Sequence, residues 1–433
     1  MGKLQIVSIN MGYGHQRTAF ALSRLAQDSK VINANDYPGI PQADKNIWES
    51  TRKFYELISV FKRVPFVGDL VFAIFDAFQK ILIFYPRRDL SSPNFTLRNT
   101  YSLLKKGWGR DLIEKLKIQN EKLKTNSPMI STFFTPAFMA EFFNYPGNIF
   151  CVVCDADISR TWAPLNPKES RIKYFAPTER VVERLKLYGV RPENIFLTGY
   201  PLPPEIIGSE KLELLKDDLK NRILNLDPQG KYRRKYITLI ENNLGILPEE
   251  SDHILTIMFA VGGAGAQKEI AIKIIKNLKA KIAEGKIKII LVAGTREEVK
   301  VYFEENIEKL GLINKLHRNI EIIFAKEVEG YFQEFNEAIR KTDILWTKPS
   351  ELSFYSALGI PVIIAPTIGS QEEFNKRWLL KSGFGIFQEN PTYVDQWLFD
   401  WLGNGFLAKA AMQAFIEGEK LGFFNIQKII SSC

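Results

Sequence analysis

Cysteine and histidine are both scarce, with three of each in 433 residues. Three cysteines cannot frame a chain of this length with disulfides, so the disulfide-rich secreted class is excluded and a reducing compartment is favoured. Cys151 and Cys154 lie in one apolar run with no second Cys/His pair at ligand spacing, which reads as buried thiols on a strand rather than a tetrahedral metal site. There is no uncharged apolar run of about 18 residues or more, so no spanning helix is expected. The N-terminus enters the apolar stretch Leu4–Ile9 directly, without the long apolar core of a signal peptide. Low-complexity segments and short-period repeats are also lacking. A cytoplasmic protein is the expectation.

What is present is ordinary globular composition, 45% hydrophobic and 25% charged. The length calls for two or three domains. The net charge of +9 is unevenly spread. Residues 1–200 hold 28 Lys+Arg against 18 Asp+Glu, and the remainder 30 against 31. Much of the excess falls in residues 46–124, with 15 basic and 8 acidic side chains. A localised basic surface attracts anionic lipid, nucleic acid or phosphorylated substrates, whereas an ordinary solvated face asks for no partner.

Leu4–Asn10 reads as a buried strand, and Thr18–Leu25 as a helix after a glycine-containing turn. Strand, glycine loop and helix open a doubly wound α/β domain. Residues 46–124 break that rhythm with long helical, aromatic stretches: Phe54, Leu57, Ile58 and Phe61 share one face, and Phe72, Phe75 and Phe78 follow. Strands resume at Met129–Phe134, Asn148–Cys154, Lys173–Ala176 and Ile195–Thr198. Gly199-Tyr200-Pro201 and the prolines after it mark a boundary, giving domains of residues 1–205 and 206–433, with an insertion at about 46–124. A second α/β series has strands at Ile254–Val261, Lys288–Ala293, Glu321–Phe324, Asp343–Trp346 and Pro361–Ile364. The final helices, from about Tyr393, can cross back to the first domain.

Three clusters carry candidate chemistry. Asn10-Met11-Gly12-Tyr13-Gly14-His15 follows the first strand; Gly12 and Gly14 let a ligand approach the backbone, and imidazole can take a proton near neutral pH. A packed or capping histidine is the plainer alternative. Gly262-Gly263-Ala264-Gly265-Ala266-Gln267 follows the strand Ile254–Val261 and precedes a helix at Glu269–Ala283, an arrangement whose N–H groups and helix dipole suit a diphosphate. Its spacing is not the dinucleotide fingerprint. Thr347-Lys348-Pro349-Ser350-Glu351 and Gln371-Glu372-Glu373-Phe374-Asn375 follow consecutive strands and offer groups suited to ribose and sugar hydroxyls. Arg296 is a phosphate contact or a surface ion pair. Asp155 and Asp157 flank a strand end and form the one carboxylate pair to weigh for Mg²⁺.

These segments together resemble glycosyltransferase family 28, which includes monogalactosyldiacylglycerol synthases, diacylglycerol glucosyltransferases and the peptidoglycan N-acetylglucosaminyltransferase. Gly12-Tyr13-Gly14-His15 is similar to that family's Gly-Gly-Gly-His loop. Cys154-Asp155 through Trp162, with Tyr174-Phe175-Ala176-Pro177-Thr178, resembles its Thr-Asp…Trp…Pro-Ser segment. Gly189-Val190 to Gly199-Tyr200-Pro201 is similar to its Gly-Ile…Gly-x-Pro. Gly262-Gly263 matches the donor-phosphate loop, Thr347-Lys348-Pro349 the Thr-Lys-Pro-Gly motif, and Gln371-Glu372 the Pro-Gly-Gln-Glu motif. The anchors run in order across nearly the whole chain. Ser350-Glu351 stands where the family has Gly-Gly, and the stretch to Gly359 is slightly shorter than the family pattern. Counting back from Gly359 would put the ribose carboxylate on Phe354; Glu351 is the nearby carboxylate.

The resemblance implies an α/β chain of the GT-B fold, with two facing Rossmann-like domains. It also implies an inverting glycosyltransferase without metal or other cofactor. His15, or Asp155, would be the base. Gly262, Gly263, Gly265, Arg296, Ser350, Glu351, Gln371, Glu372 and Asn375 would hold a nucleotide-sugar donor, by resemblance a UDP-sugar. The acceptor would be a lipid or other hydroxyl, the protein would lie peripherally on an anionic cytoplasmic membrane face, and no nucleic-acid partner is expected. Two other functions fit the same fold: a nucleotide-sugar epimerase, and a nucleotide-sugar-binding protein without turnover.

Overall fold

A computed structural model describes residues 4–61, 81–122, 124–261, 265, 267–367 and 370–432; for Gln27, residues 54–61 and Ser370 it describes the backbone alone. The chain divides into two compact units. The first comprises residues up to Pro201, Ile368–Phe374 and the end of the chain from Leu421; the second comprises Leu202–Thr367 and Asn375–Lys420.

The first unit is built on six parallel strands: β1 (Leu4–Ser8), β2 (Ala26–Asn33), β3 (Met129–Ser131), β4 (Ile149–Val152), β5 (Lys173–Ala176) and β6 (Ile195–Leu197), in the order β2-β1-β3-β4-β5-β6. Central parallel strands are covered on both faces, which is why β1, β3 and β4 read as nearly unbroken apolar runs and are buried throughout. Leu4, Ile6, Ile130, Phe150, Val152 and Phe175 form the core. Ala19 and Leu22 of the helix Tyr13–Leu22 pack on it, as do Phe423 and Ile426 of the closing helix Gly422–Ser431. That last helix lies so near Tyr200 that a Cβ on Gly422 would stand 2.3 Å from the Tyr200 carbonyl oxygen.

Two local expectations change. The first helix starts at Tyr13 rather than Thr18, because Gly12 alone makes the turn, at φ +103°. Gly14 and His15 therefore lie in the helix's first turn. Strand β2 has no counterpart in the sequence reading. Its residues Asp28 and Ser29 sit at positive φ, and its register against β1 slips between Leu4 and Ile6, so a bulge breaks the alternation that marks a strand.

Within 46–124, helices cover Gln42–Phe61, Phe95–Lys105 and Arg110–Lys122. Trp48 is buried against Trp108, ring centroids 4.8 Å apart, and so belongs to the packing of these helices. The side chains of Phe54 and Phe61, and all of Phe72, Phe75 and Phe78, lie outside the described residues. No helix among the described residues is long and apolar enough to cross a membrane.

The second unit repeats the plan with β7 (Leu255–Ala260), β8 (Ile287–Gly294), β9 (Ile320–Phe324), β10 (Ile344–Thr347), β11 (Val362–Ile364) and β12 (Gly385–Phe387), parallel and in the order β12-β11-β10-β7-β8-β9. The charged segment 208–250 is anchored to this sheet. Arg222, on the helix Glu213–Leu226, is fully buried and donates to the carbonyls of Thr342 and Leu358, each at 2.7 Å. Buried Asp343 accepts from Thr256 N (2.8 Å) and Asn225 Nδ2 (3.0 Å) and meets His253 Nε2 at 3.1 Å. Two doubly wound parallel units in one chain, the last helix returning to the first, make this an α/β protein of the GT-B fold, as the sequence led us to expect.

Candidate functional site

In a doubly wound sheet, ligands gather outside the carboxyl ends of the strands, where the strand order reverses. In the first unit the chain runs from β1 outward to β2 and then returns to β3 on the other side of β1, so the reversal lies between β1 and β3. His15 follows β1, and Thr132 and Phe133 follow β3. The two meet: His15 Nδ1 is 2.8 Å from the Thr132 carbonyl oxygen. A carbonyl only accepts, so Nδ1 carries the proton and Nε2 keeps its lone pair. Cys154, after β4, brings its Sγ to 3.2 Å from the same nitrogen. Around Gly12, by contrast, no atom lies within 4 Å of where a Cβ would be, which leaves the backbone open to a ligand.

Burial pushes the His15 pKa down to about 4, against the opposing effect of the Thr132 hydrogen bond. The half-buried ring therefore stays neutral, as a base must, well below neutral pH. Protonation removes the base, so activity is lost as pH falls through the lowered value. A pH–rate profile is expected to hold its plateau down to about pH 5 and to break near pH 4 on the acid side. A break near the ordinary histidine value of about 6.5 would mean the imidazole is solvated during turnover. The same shift destabilises the fold in acid, because the unfolded chain binds this proton first; stability from this group declines as pH falls from the ordinary value toward 4.

Asp155 follows Cys154 in the same loop and is half-buried. Asp157 is committed elsewhere: buried Arg184 grips it with Nε and Nη2, each at 2.8 Å, so the two aspartates are not a free carboxylate pair. Cys151 is fully buried on β4 with its thiol pKa pushed up by burial.

In the second unit the reversal lies between β7 and β10. Gly262 and Gly263, after β7, lie outside the described residues. Gly265 has φ +63°, and a Cβ there would stand 2.9 Å from Val299 Cγ2 and 3.3 Å from Arg296 Cδ, so the end of this loop rests on the turn after β8. Gln267 caps the helix Lys268–Ala283 and donates from Nε2 to the Pro366 carbonyl at 2.7 Å, tying the loop to the end of β11. Thr347 Oγ1 donates to the Ala260 carbonyl at 3.1 Å, tying the ends of β10 and β7. Arg296 precedes the helix Glu297–Lys309, and its Nη1 lies 3.3 Å from Glu298 in an exposed ion pair.

Ser350 caps a 3₁₀ segment at Glu351–Leu358. The segment is 3₁₀ rather than α-helical, so its eight residues, at about 2.0 Å rise each, span more length than the same number in an α-helix. Phe354 is buried against Trp378, with centroids 5.1 Å apart, whereas Glu351 is half-buried at the start of the segment. Gln371 and Glu372 are half-buried, and Asn375 buried, on the helix Ser370–Ser382 after β11. Within the second unit, Gly265, Arg296, Ser350, Glu351 and Asn375 thus follow β7, β8, β10 and β11, four neighbouring strands, while Gln371 and Glu372 group with the first unit. Sequence gives no signal for Thr132 or Phe133, which the strand order puts beside the first glycine loop; Gln267 ends the second glycine candidate and Cys154 opens the Cys154-Asp155 motif, but neither carries a role from sequence alone.

A domain-of-unknown-function family (DUF6938) matches residues 248–377, which covers β7 through the candidate donor loops. The chain is 24% identical over 243 residues to the processive diacylglycerol β-glucosyltransferase of Bacillus subtilis, covering 55% of this chain and 50% of that protein. It is 23% identical over 285 residues to the protein of the same name from Bacillus pumilus, covering 63% of this chain and 61% of that protein. The chain therefore spans half to three-fifths of these relatives' length. Among solved structures, UDP-GlcNAc 2-epimerase from Neisseria meningitidis bound to UDP-GlcNAc aligns over all of both chains at 13% identity, with a TM-score of 0.48. The sequence matches bear out the resemblance to glycosyltransferase family 28-like GT-B proteins.

Proposed function

We propose that this chain is a glycosyltransferase of the GT-B type, which moves a sugar from a UDP-sugar to a hydroxyl of a lipid acceptor, with inversion and without a divalent metal. The observation that carries the reading is the placement at two topological reversals. A neutral histidine with a fixed tautomer stands at one, and a glycine loop opening a helix stands at the other. His15 Nε2 takes the acceptor's proton as the oxygen attacks the anomeric carbon; Asp155 is the alternative base. The bond to the nucleotide diphosphate breaks on the opposite face. The Gly262–Gly265 loop and the N-terminus of the helix Lys268–Ala283 receive the charge that develops on the diphosphate. Arg296 adds a cation there, Glu351 accepts from the ribose hydroxyls, and Ser350 and Asn375 are the second unit's groups for the sugar hydroxyls.

A lipid acceptor is supported by the names of the relatives and by one surface of the first unit. Ile83 and Tyr85 are 71% and 62% exposed. Arg180 stacks 3.9 Å above the Phe84 ring, and Arg87 stands 5.6 Å from it. Exposed apolar side chains ringed by arginine suit an anionic membrane face, where each basic residue near the surface contributes about 1 kcal/mol. Such a protein is cytoplasmic and peripheral. The protein is expected to co-sediment with anionic vesicles at low salt, and Tyr85→Ser with Arg87→Glu to reduce the bound fraction several-fold. Equal recovery in the supernatant with neutral and anionic vesicles would instead mean a water-soluble acceptor.

A further inference from the structure

We infer that Phe133 forms the wall on which the acceptor rests, and that it selects acceptors whose reactive hydroxyl is flanked by C–H surface, either an acylglycerol or the apolar face of a pyranose. The inference rests on the reading of His15 as the base. Phe133 is the residue after the carbonyl that holds His15. Its ring meets the imidazole edge to face, with centroids 4.8 Å apart. Behind it stand Phe134, at 4.1 Å, and Trp162, at 6.0 Å. Phe134 and Trp162 are buried, at 8% and 3% exposure, whereas Phe133 is half-buried and keeps part of its surface exposed.

The ring is held where it is. Phe133 is extended, at φ −142° and ψ 148°, ahead of the helix Phe134–Phe142. The Ser131 hydroxyl clamps its backbone from both sides, donating to its carbonyl at 2.5 Å and accepting from its N–H at 3.3 Å. Trp162 is fixed in turn by its carbonyl, which accepts from the Tyr174 hydroxyl at 2.8 Å. A partly exposed aromatic ring backed by buried rings has apolar area left to cover, and it stands edge to face with the imidazole of the proposed base. An acceptor that lays C–H surface on this ring brings its hydroxyl toward the imidazole. A highly hydrated acceptor gains nothing there.

The test compares wild type, Phe133→Leu and Phe133→Ala with three acceptors: dioctanoylglycerol, octyl glucoside and glycerol. The acceptor KM for the two amphiphiles is expected to rise roughly tenfold in Phe133→Ala, and less in Phe133→Leu, which keeps apolar area. UDP affinity by calorimetry should not move. A rise for dioctanoylglycerol alone would identify the wall with the acylglycerol, and a rise for octyl glucoside alone with the pyranose. An unchanged KM for both, or an equal rise for glycerol, would overturn the inference. Binding of the two amphiphiles, followed by tryptophan fluorescence, gives a readout independent of turnover. Weaker binding in Phe133→Ala, in a protein that transfers no sugar, would leave the wall standing while the proposed function failed. A matching melting temperature guards against a folding defect.

Discussion

Replacing His15 by alanine is expected to lower turnover by roughly 10²–10⁴-fold while leaving UDP affinity and the melting temperature close to wild type. The size follows from what is removed. His15 is the one group at the reversal between β1 and β3 whose tautomer is fixed, by the 2.8 Å bond from Nδ1 to Thr132, with the other nitrogen left to accept a proton. It is not among the residues assigned to the donor, so donor binding is expected to stay unchanged. Steady-state kinetics with calorimetry on the same preparations checks both halves. If turnover survives His15→Ala and is lost in Asp155→Ala, the carboxylate is the base and the histidine a structural support.

Gly265→Val is expected to weaken UDP binding by roughly 100-fold, the equivalent of about 2.7 kcal/mol. At φ +63° a β-branched residue is strained, and its Cβ would stand 2.9 Å from Val299. The loop would have to shift away from the turn after β8. That moves the N–H groups meant for the diphosphate and the start of the helix Lys268–Ala283 with them. Gly263→Val should do the same by filling the space the diphosphate needs. A folded Gly265→Val protein with unchanged UDP affinity would remove the donor assignment from this loop.

The fold was legible wherever burial on two faces forces apolar runs. Strands β1, β3, β4, β7, β8 and β10 stand out for that reason, and with them the alternation of strand and helix that defines both units. Strand β2 was not legible, since a bulge at Asp28 and Ser29 breaks its pattern and Asp, Ser and Lys fill its middle. The site divides along the same line. Glycine loops after strands announce themselves, because backbone freedom has a local signature; His15 and Gly265 could be picked out from sequence for that reason. What surrounds His15 could not. Thr132 takes part through a carbonyl that any residue would supply, and Phe133 and Cys154 lie more than a hundred positions along the chain. They become neighbours only because β3 and β4 insert beside β1. Glu351 shows the same dependence. Sequence spacing put Phe354 at the counted position and Glu351 as the nearby carboxylate; the 3₁₀ segment buries Phe354 and leaves Glu351 half-buried at its start.

The most direct test of the account is a coupled product assay. The wild-type protein is incubated with UDP-glucose, UDP-galactose and UDP-N-acetylglucosamine, each with dioctanoylglycerol in anionic vesicles and with EDTA present. UDP release and glycolipid mass are measured together. The account requires that one donor yield UDP and glycosylated lipid in equal amounts in EDTA, and that His15→Ala reduce both in parallel. Conversion of one UDP-sugar to another without any acceptor would contradict it, and so would tight UDP binding with no release or transfer from any of the three donors.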